Sequence, residues 1–221
     1  LIDIPDDLQR EEIIPENLRS YVEEKRKTKL KISNKKLADC HSLIRDAERP
    51  IIILGWGIHL AQGYKELDKF LLKFPIPVVS TWALAHAIPS NHPMWVGTFG
   101  THGTRYANFA VQNSDLIISI GSRLDTKATG SPTKTFAREA KKIMVDIDPH
   151  ELNKFKRHDL NFDHLIHSDV KEFLGSMVEK TGDLNLSRIP DWLKTIDLWK
   201  KRYPICPESY YKEVAVNPYV F

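Results

Sequence analysis

Residues 50–57 read Pro-Ile-Ile-Ile-Leu-Gly-Trp-Gly, a run of apolar side chains that ends in a pair of glycines. An unbroken apolar run predicts a strand buried on both faces, as in a parallel sheet covered by helices, because a half-exposed strand would alternate. Gly55 and Gly57 allow a tight turn and a close approach by the phosphate or sugar of a ligand. The stretch therefore predicts the first strand of an α/β sheet, followed by a ligand-facing turn.

The same rhythm of strand and helix continues on both sides of this stretch. Further strands are predicted at residues 77–80, 116–120, 142–146 and 164–167. Helices are predicted from Asn34 onward, over 58–71, over 105–113, near Thr135 and from Val170 to Met177. Strands and helices that alternate in this way are typical of a parallel sheet. We expect an α/β fold over residues 34–181, a doubly wound, mainly parallel sheet of five or six strands with helices on both faces and Rossmann-like topology.

The segments that flank this domain differ in character. Residues 1–13 begin with Leu-Ile-Asp-Ile-Pro, which is typical of the end of a buried strand that runs into a turn. Residues 14–33 are charged and poor in large apolar side chains, which indicates a surface linker. Residues 182–221 are predicted to form a helix beyond Pro190 and then a second linker. That helix has an apolar packing stripe of Trp192, Ile196, Trp199 and Tyr203.

The composition excludes several classes of partner. The 221 residues carry 32 basic and 29 acidic side chains, and the net charge of +3 is too small to indicate binding to nucleic acid. No apolar run approaches the roughly 20 residues of a membrane span, and no signal-peptide pattern opens the sequence, so we expect a cytoplasmic protein. Cys40 and Cys206 match no metal or redox spacing, and we expect free thiols.

Several segments place ligand-binding chemistry at the ends of predicted strands. Ligands of open parallel sheets bind outside the carboxyl ends of the strands. Residues 97–108 form a glycine-rich loop that leads into a helix, residues 121–125 read Gly-Ser-Arg-Leu-Asp, and residues 145–149 read Val-Asp-Ile-Asp-Pro. A nicotinamide fingerprint is absent, because Leu60 stands where its third glycine would be and no acid closes the second strand. We expect a cleft between the Gly55 turn, the loop 100–103 and Arg123.

Together, these segments resemble the middle domain of acetolactate synthase and its thiamine-dependent relatives. The resemblance covers residues 49–174, and residues 1–5 and the tail resemble the adjoining parts of the pyrimidine-binding and diphosphate-binding domains. It implies a central domain that holds FAD as a structural cofactor. The residues expected to bind it are Gly55, Gly57, Thr81, His102, Gly103, Arg123, Asp146 and Asp148.

Some positions depart from the family pattern and leave other functions open. Residues 84–86 read Leu-Ala-His where the family commonly has Gly-Lys-Gly, and Trp56 occupies the first turn. One alternative is a free-standing flavin or nicotinamide nucleotide-binding module. Another is a ligand-free structural domain, in which Arg123 would pair with Asp125 or Asp146 rather than with a cofactor.

No catalytic or metal-binding residue is predicted in this chain. The resemblance places a catalytic glutamate and a Gly-Asp-Gly segment that holds magnesium and thiamine diphosphate in other domains, and residues 182–185 lack the second glycine. The resemblance thus implies a transferase or lyase acting on 2-keto acids, inactive as this chain alone, with the flanking domains and further copies as partners. His164 and His167 would point to opposite faces of a strand, so they and the nearby His158, Asp159 and Asp163 do not predict a metal site.

Overall fold

The computed structural model describes residues 3–22, 30–157, 159–180, 182, 184 and 186–221. A six-stranded parallel sheet in the order β3-β2-β1-β4-β5-β6 forms its centre. The strands are β1 Pro50–Leu54, β2 Val78–Ser80, β3 Trp95–Thr98, β4 Leu116–Ile120, β5 Lys141–Asp146 and β6 His164–His167. This is the strand order of dinucleotide-binding Rossmann folds, and it confirms the predicted fold class.

Apolar side chains on both faces of the sheet explain why the strands are continuous hydrophobic runs. The three isoleucines of β1 are fully buried, Ile52 in one core and its neighbours Ile51 and Ile53 in the other. The strand pairs with β2 through Ile52 and Val78, and with β4 through Ile52 and Ile118. Because β1 contributes to both cores and pairs on both edges, it is the central element of the fold.

Helices cover each face of the sheet. The helices are α1 Asp6–Gln9, α2 Asn34–Asp46, α3 Gly57–Leu60, α4 Tyr64–Lys73, α5 Arg105–Gln112, α6 Thr126–Thr129, α7 Pro149–Asn153, α8 Val170–Glu179 and α9 Ile189–Arg202. Short 3₁₀ turns lie at Pro15–Asn17, Trp82–Leu84, Thr133–Thr135, Lys154–Arg157 and Glu208–Lys212. Residues of α2, α4 and α8 pack in one core, while residues of α5, α7 and α9 pack in the other. The sheet is therefore doubly wound, as predicted.

The last of these helices is joined closely to the sheet. Trp192 and Ile196 of α9 are buried, and the Trp192 indole donates a hydrogen bond to the Pro50 carbonyl at 3.1 Å.

On the opposite side of the sheet, Cys40 of α2 is fully buried, and burial raises the pKa of its thiol to about 12. Cys40 therefore acts as a small core residue, and Cys206 also carries a free thiol.

Two predicted helices have different bounds in the structure. The helix expected over 58–71 is two helices, because Gln62 adopts φ 51° and ends α3 while the Gly63 amide bonds to Ile58. The helix expected near Thr135 is a short 3₁₀ turn, and the α-helix of that region, α6, begins earlier behind the capping residue Asp125.

The strand predicted for residues 1–5 is not formed by its described part. Asp3, Ile4 and Pro5 are exposed and belong to no strand, and an isolated strand would leave its backbone groups unpaired. Residues 1 and 2, the linker centre 23–29, the predicted boundary Thr181 and His158 lie outside the described residues.

Both edges of the sheet contact a lysine side chain. The Lys36 ammonium donates to the Leu165 carbonyl of β6 at 3.0 Å, and the Lys200 ammonium donates to the Trp95 carbonyl of β3 at 2.9 Å. Each edge strand is four residues long. Within the part of the chain that the structure describes, no helix is both long and apolar enough to cross a membrane.

Candidate functional site

A cavity of about 910 Å³ opens at the carboxyl ends of the strands. Gly55, Thr81 and Gly121, which follow β1, β2 and β4, line it together with Asp146 at the end of β5. After β1 the chain crosses towards β2, whereas after β4 it crosses towards β5, so the two connections diverge. The cavity therefore lies at the topological switch point, where open α/β sheets bind their ligands.

The glycines at positions 55 and 57 allow two turns of the chain to pack against each other. A Cβ on Gly55 would lie 2.3 Å from the Gly121 carbonyl oxygen, and a Cβ on Gly57 would lie 2.7 Å from the Gly121 Cα. The Gly57 amide donates to the Gly121 oxygen at 2.9 Å. Gly121 itself has φ +60°, which favours glycine. The close approach expected for a ligand is thus made by the neighbouring β4 turn, although both glycines also line the cavity.

The glycine-rich segment, predicted as a loop that leads into a helix, begins within β3, which ends with Gly97 and Thr98, and only then continues as a loop before α5. The Asn108 side chain accepts from the Gly100 amide at 2.8 Å and donates to its carbonyl at 3.0 Å. The Thr101 amide donates to the Lys127 carbonyl at 2.8 Å, which joins this loop to the start of α6. Gly100 has φ +95°, and a Cβ there would meet the Lys127 oxygen at 2.6 Å. The two loops therefore form one continuous rim of the cavity.

His102 and Gly103, the two residues predicted within this loop, have different positions. His102 lines the cavity and is exposed. Gly103 is absent from the cavity lining; its amide donates to the Gly100 carbonyl, and a Cβ would lie 2.4 Å from the Phe99 Cα. Gly103 therefore closes the loop from behind, while His102 faces the space where a ligand would lie.

Four carboxylates in the cavity wall accept hydrogen bonds from the backbone of the protein itself. Asp125, Asp148 and Asp169 cap α6, α7 and α8, with the His150 amide 2.8 Å from the Asp148 carboxylate. Asp146 accepts from the Asp148 amide at 2.9 Å. Burial raises the pKa of Asp146, and the nearby carboxylates of Glu151 and Asp148 add to this effect. The acids predicted for ribose or adenine thus have backbone partners in the structure.

Arg123 pairs with Glu151 rather than with either acid expected from the sequence. Its Nε and Nη2 atoms both lie 3.1 Å from Glu151 Oε1, while its side chain is 75% exposed. Lys154 pairs with the other Glu151 oxygen at 2.7 Å and also donates to the Arg123 carbonyl. Glu151 of α7 therefore holds the Arg123 guanidinium at the cavity wall, and the guanidinium remains largely exposed to solvent.

Two tryptophans that the sequence reasoning did not assign as binding residues form an apolar wall. Trp56 and Trp82 line the cavity from the ends of β1 and β2 and are 39% and 66% exposed. Leu60 of α3 extends the same wall. Cationic groups, Arg123 and Lys127, contribute to the lining from the β4 side. The cavity thus combines an aromatic side with a charged side.

The structure brings seven of the eight predicted binding residues into this cavity, all except Gly103. No group of three or more His, Cys, Asp or Glu side chains among the described residues could hold a metal ion. Residues that sequence reasoning missed include Trp56, Trp82 and Lys127. Trp56 and Trp82 lie just after predicted strands, and this was the available signal, because strand ends converge at one edge of a parallel sheet. Lys127 lies farther along, in α6, and carried no such signal.

Comparison with known proteins gives one consistent family. Residues 37–177 match the family described as the central domain of thiamine pyrophosphate enzymes. The chain is 33% identical over 209 residues to the acetolactate synthase large subunit of Cyanidium caldarium, covering 93% of this chain and 36% of that protein. It is 33% identical to the probable chloroplastic acetolactate synthase 2 of Oryza sativa, covering 97% and 32%. It is also 34% identical to the acetolactate synthase isozyme 2 large subunit of Escherichia coli, covering 71% and 28%. The chain therefore spans about a third of the length of these relatives.

Proposed function

The chain belongs to the family of thiamine pyrophosphate enzyme central domains, and we propose that it serves an acetolactate synthase-like enzyme as its FAD-binding central domain. The whole enzyme would act on 2-keto acids with thiamine diphosphate and magnesium, as a transferase or lyase. Its partners would be the flanking domains and further copies of the same chain, in the cytoplasm.

The observation that carries the cofactor proposal is the cavity at the switch point. Its volume of about 910 Å³ lies near the upper end of the roughly 300–1,000 Å³ range of ligand pockets, which suits a large cofactor. Arg123, Lys127 and His102 supply donors for a diphosphate, and Trp56 and Trp82 supply apolar area for a ring. The resemblance to acetolactate synthases implies that the flavin would hold the domain's shape and would not exchange electrons.

A second candidate, a ligand-free structural domain, is favoured by a different observation. Gly55 and Gly57 are required by the packing of two turns, and the four aspartates of the cavity wall have backbone partners. Each of these features would persist without a cofactor. A free-standing nicotinamide module is less well supported, since Leu60 replaces the third glycine of that fingerprint and β2 is followed by Thr81 and Trp82.

Titration of the purified chain with FAD, and with NAD as a comparison, separates these candidates. The proposal predicts a yellow protein with flavin absorbance near the usual ~450 nm, saturable FAD binding and much weaker NAD binding. Calorimetry that detects no FAD binding by the folded chain would favour the ligand-free domain.

Arg123→Ala then tests the charged side of the cavity. We expect FAD binding to weaken by about 1 to 3 kcal/mol, the value of a charge-assisted hydrogen bond. The melting temperature of the ligand-free chain should change little, because the Arg123–Glu151 pair is largely exposed on the arginine side. Lys194→Ala removes another exposed ion pair, with Asp191, away from the cavity and is the matched control. Unchanged FAD affinity in Arg123→Ala would remove Arg123 from the site.

A further inference from the structure

Trp56 stands out among the cavity residues because its ring is held by other aromatic side chains. The His59 imidazole stacks on the Trp56 indole, with ring centroids 4.2 Å apart and an interplanar angle of 27°. The His86 ring meets the indole edge-on at 6.1 Å. An indole with 39% exposure is therefore packed against two imidazoles while it lines the cavity.

A tyrosine hydroxyl links the two imidazoles. Tyr64 Oη lies 2.9 Å from His59 Nδ1 and 3.4 Å from His86 Nε2. A phenol has one proton to donate and lone pairs to accept, so Tyr64 can donate to one neutral imidazole and accept from the other. This arrangement restricts the orientation of both rings. The side chains of α3, α4 and the segment after β2 thus jointly position Trp56.

The cavity around Trp56 holds both apolar side chains and cationic groups. Trp82 and Leu60, 66% and 74% exposed, line the same cavity as Trp56. Arg123, which follows β4, and Lys127, in α6, also line it. Large exposed apolar side chains concentrated in one cavity mark a binding surface. A ligand with a flat ring and an anionic group would place the ring against the tryptophans and the anion beside the cations.

We propose that Trp56 is the platform on which the heteroaromatic ring of the bound nucleotide stacks, and that His59, Tyr64 and His86 position this platform. The inference rests on the proposed function, since it requires that the cavity binds a nucleotide. It identifies Trp56, in the turn after β1, as a residue that determines specificity. It also gives His59 and His86 a role in positioning that residue.

Two substitutions at position 56 separate stacking from simple burial. Trp56→Phe keeps an aromatic face, whereas Trp56→Leu keeps apolar volume without one. Base–aromatic stacking corresponds to roughly 5- to 150-fold in affinity, so we expect Trp56→Leu to weaken FAD binding by that order and Trp56→Phe to weaken it much less. Leu72→Ala, on an exposed position of α4 outside the cavity lining, is the control and should bind FAD as the unaltered chain does.

Fluorescence gives a readout that a merely structural role would not move. FAD stacked on Trp56 should quench tryptophan emission, and the quenched fraction should fall in Trp56→Phe. Tyr64→Phe removes only the linking hydroxyl; it should weaken FAD binding less than Trp56→Leu, with the quenching retained.

The outcomes distinguish the two proposals. If the unaltered chain binds no FAD, the proposed function fails and the platform fails with it. If the unaltered chain binds FAD but the Leu and Phe variants bind it equally well, with quenching unchanged in Trp56→Phe, the platform alone is overturned. Melting temperatures of all variants show whether a loss of affinity reflects loss of the fold, and the Phe variant keeps the test decisive if the Leu variant does not fold.

Discussion

Gly57 has no room for a side chain, and this gives a sharp prediction about stability. A Cβ at this position would lie 2.7 Å from the Gly121 Cα, a backbone atom that cannot move without shifting the β4 turn. We expect Gly57→Ala to lower the free energy of unfolding by about 1 to 3 kcal/mol, the range for overpacking. Urea denaturation measures this change.

Gly175 provides the matched control for that substitution. It lies within α8, and a Cβ there would meet nothing within 4 Å. Gly175→Ala should raise the free energy of unfolding by up to about 1 kcal/mol, because alanine favours a helix over glycine. Equal destabilisation by both substitutions would contradict the packing role assigned to Gly57.

Asp146 gives a prediction about pH. The side chain is 8% exposed, and burial raises its pKa in the folded state. A carboxyl group whose folded pKa is raised destabilises the fold at pH values above that pKa, and the destabilisation is relieved as pH falls through it. Asp146→Asn keeps an oxygen that can accept from the Asp148 amide, so we expect a higher melting temperature than the unaltered chain at pH 7.

The advantage of Asp146→Asn should shrink as the pH is lowered. It should vanish below the ordinary aspartate pKa of about 3.9, where the carboxyl group is protonated in both the folded and unfolded states. Melting temperatures of the two proteins from about pH 3 to about pH 8, on both sides of that pKa, test this. A variant that is less stable at pH 7 would show that the charged carboxylate contributes more than its burial costs.

At the scale of single residues, the sequence predicted which residues line the cavity better than it predicted what each of them contacts. Gly55, Thr81 and Asp146 could be placed in the cavity because each follows or ends a strand recognisable from its apolar run. The contacts of Gly57 and Arg123 could not be predicted, since their partners, Gly121 and Glu151, come from other parts of the chain. Trp56 and Trp82 form no motif, so only the fold shows that they share a wall.

At the scale of elements, the loop after β3 depends on one side chain. Asn108 makes two hydrogen bonds to the Gly100 backbone, and it does so from the first turns of α5. Asn108→Ala should leave these backbone groups without that partner and cost about 1 to 3 kcal/mol in unfolding free energy. Hydrogen exchange should accelerate at residues 100–104 more than in the strands.

An exposed asparagine serves as the control for the loop. Asn153 bonds the Pro149 carbonyl within α7 at 2.6 Å, and Asn153→Ala should leave exchange at residues 100–104 unchanged. If Asn108→Ala gave the same exchange pattern as this control, the loop would owe its shape to the contact between Thr101 and Lys127 instead.

Five of the strands could be predicted from apolar runs, and β3 could not. It contains Gly97, which interrupts the hydrophobic pattern, and it pairs on one side only, with β2, through an irregular register. The break between α3 and α4 was also missed, because the apolar spacing continues across Gln62 and only its backbone conformation ends the first helix. Periodicity thus predicts the buried central elements well and the edge and turn geometry poorly.

At the scale of the whole molecule, we predict that the purified chain neither binds thiamine diphosphate nor consumes pyruvate. The family resemblance assigns those steps to a glutamate and to a Gly-Asp-Gly segment with an asparagine, and these 221 residues contain no Gly-Asp-Gly segment. Calorimetric titration with thiamine diphosphate and magnesium, and an assay for acetolactate, check this. FAD binding measured on the same sample would show that the protein is folded. Acetolactate formation would contradict the proposal that other domains bind and use thiamine diphosphate.

The lysines at the two margins of the sheet bear on how the protein behaves at high concentration. A sheet that ends in open strands offers backbone groups to any other polypeptide, and such margins promote edge-to-edge aggregation. Here an intruding strand would have to displace an ammonium group from the Leu165 carbonyl on one margin, or from the Trp95 carbonyl on the other. It would also bring its own backbone against the positive charge of a lysine, which is exposed at Lys36 and half-buried at Lys200. The bonds made by Lys36 and Lys200 therefore disfavour the addition of a further strand at either edge.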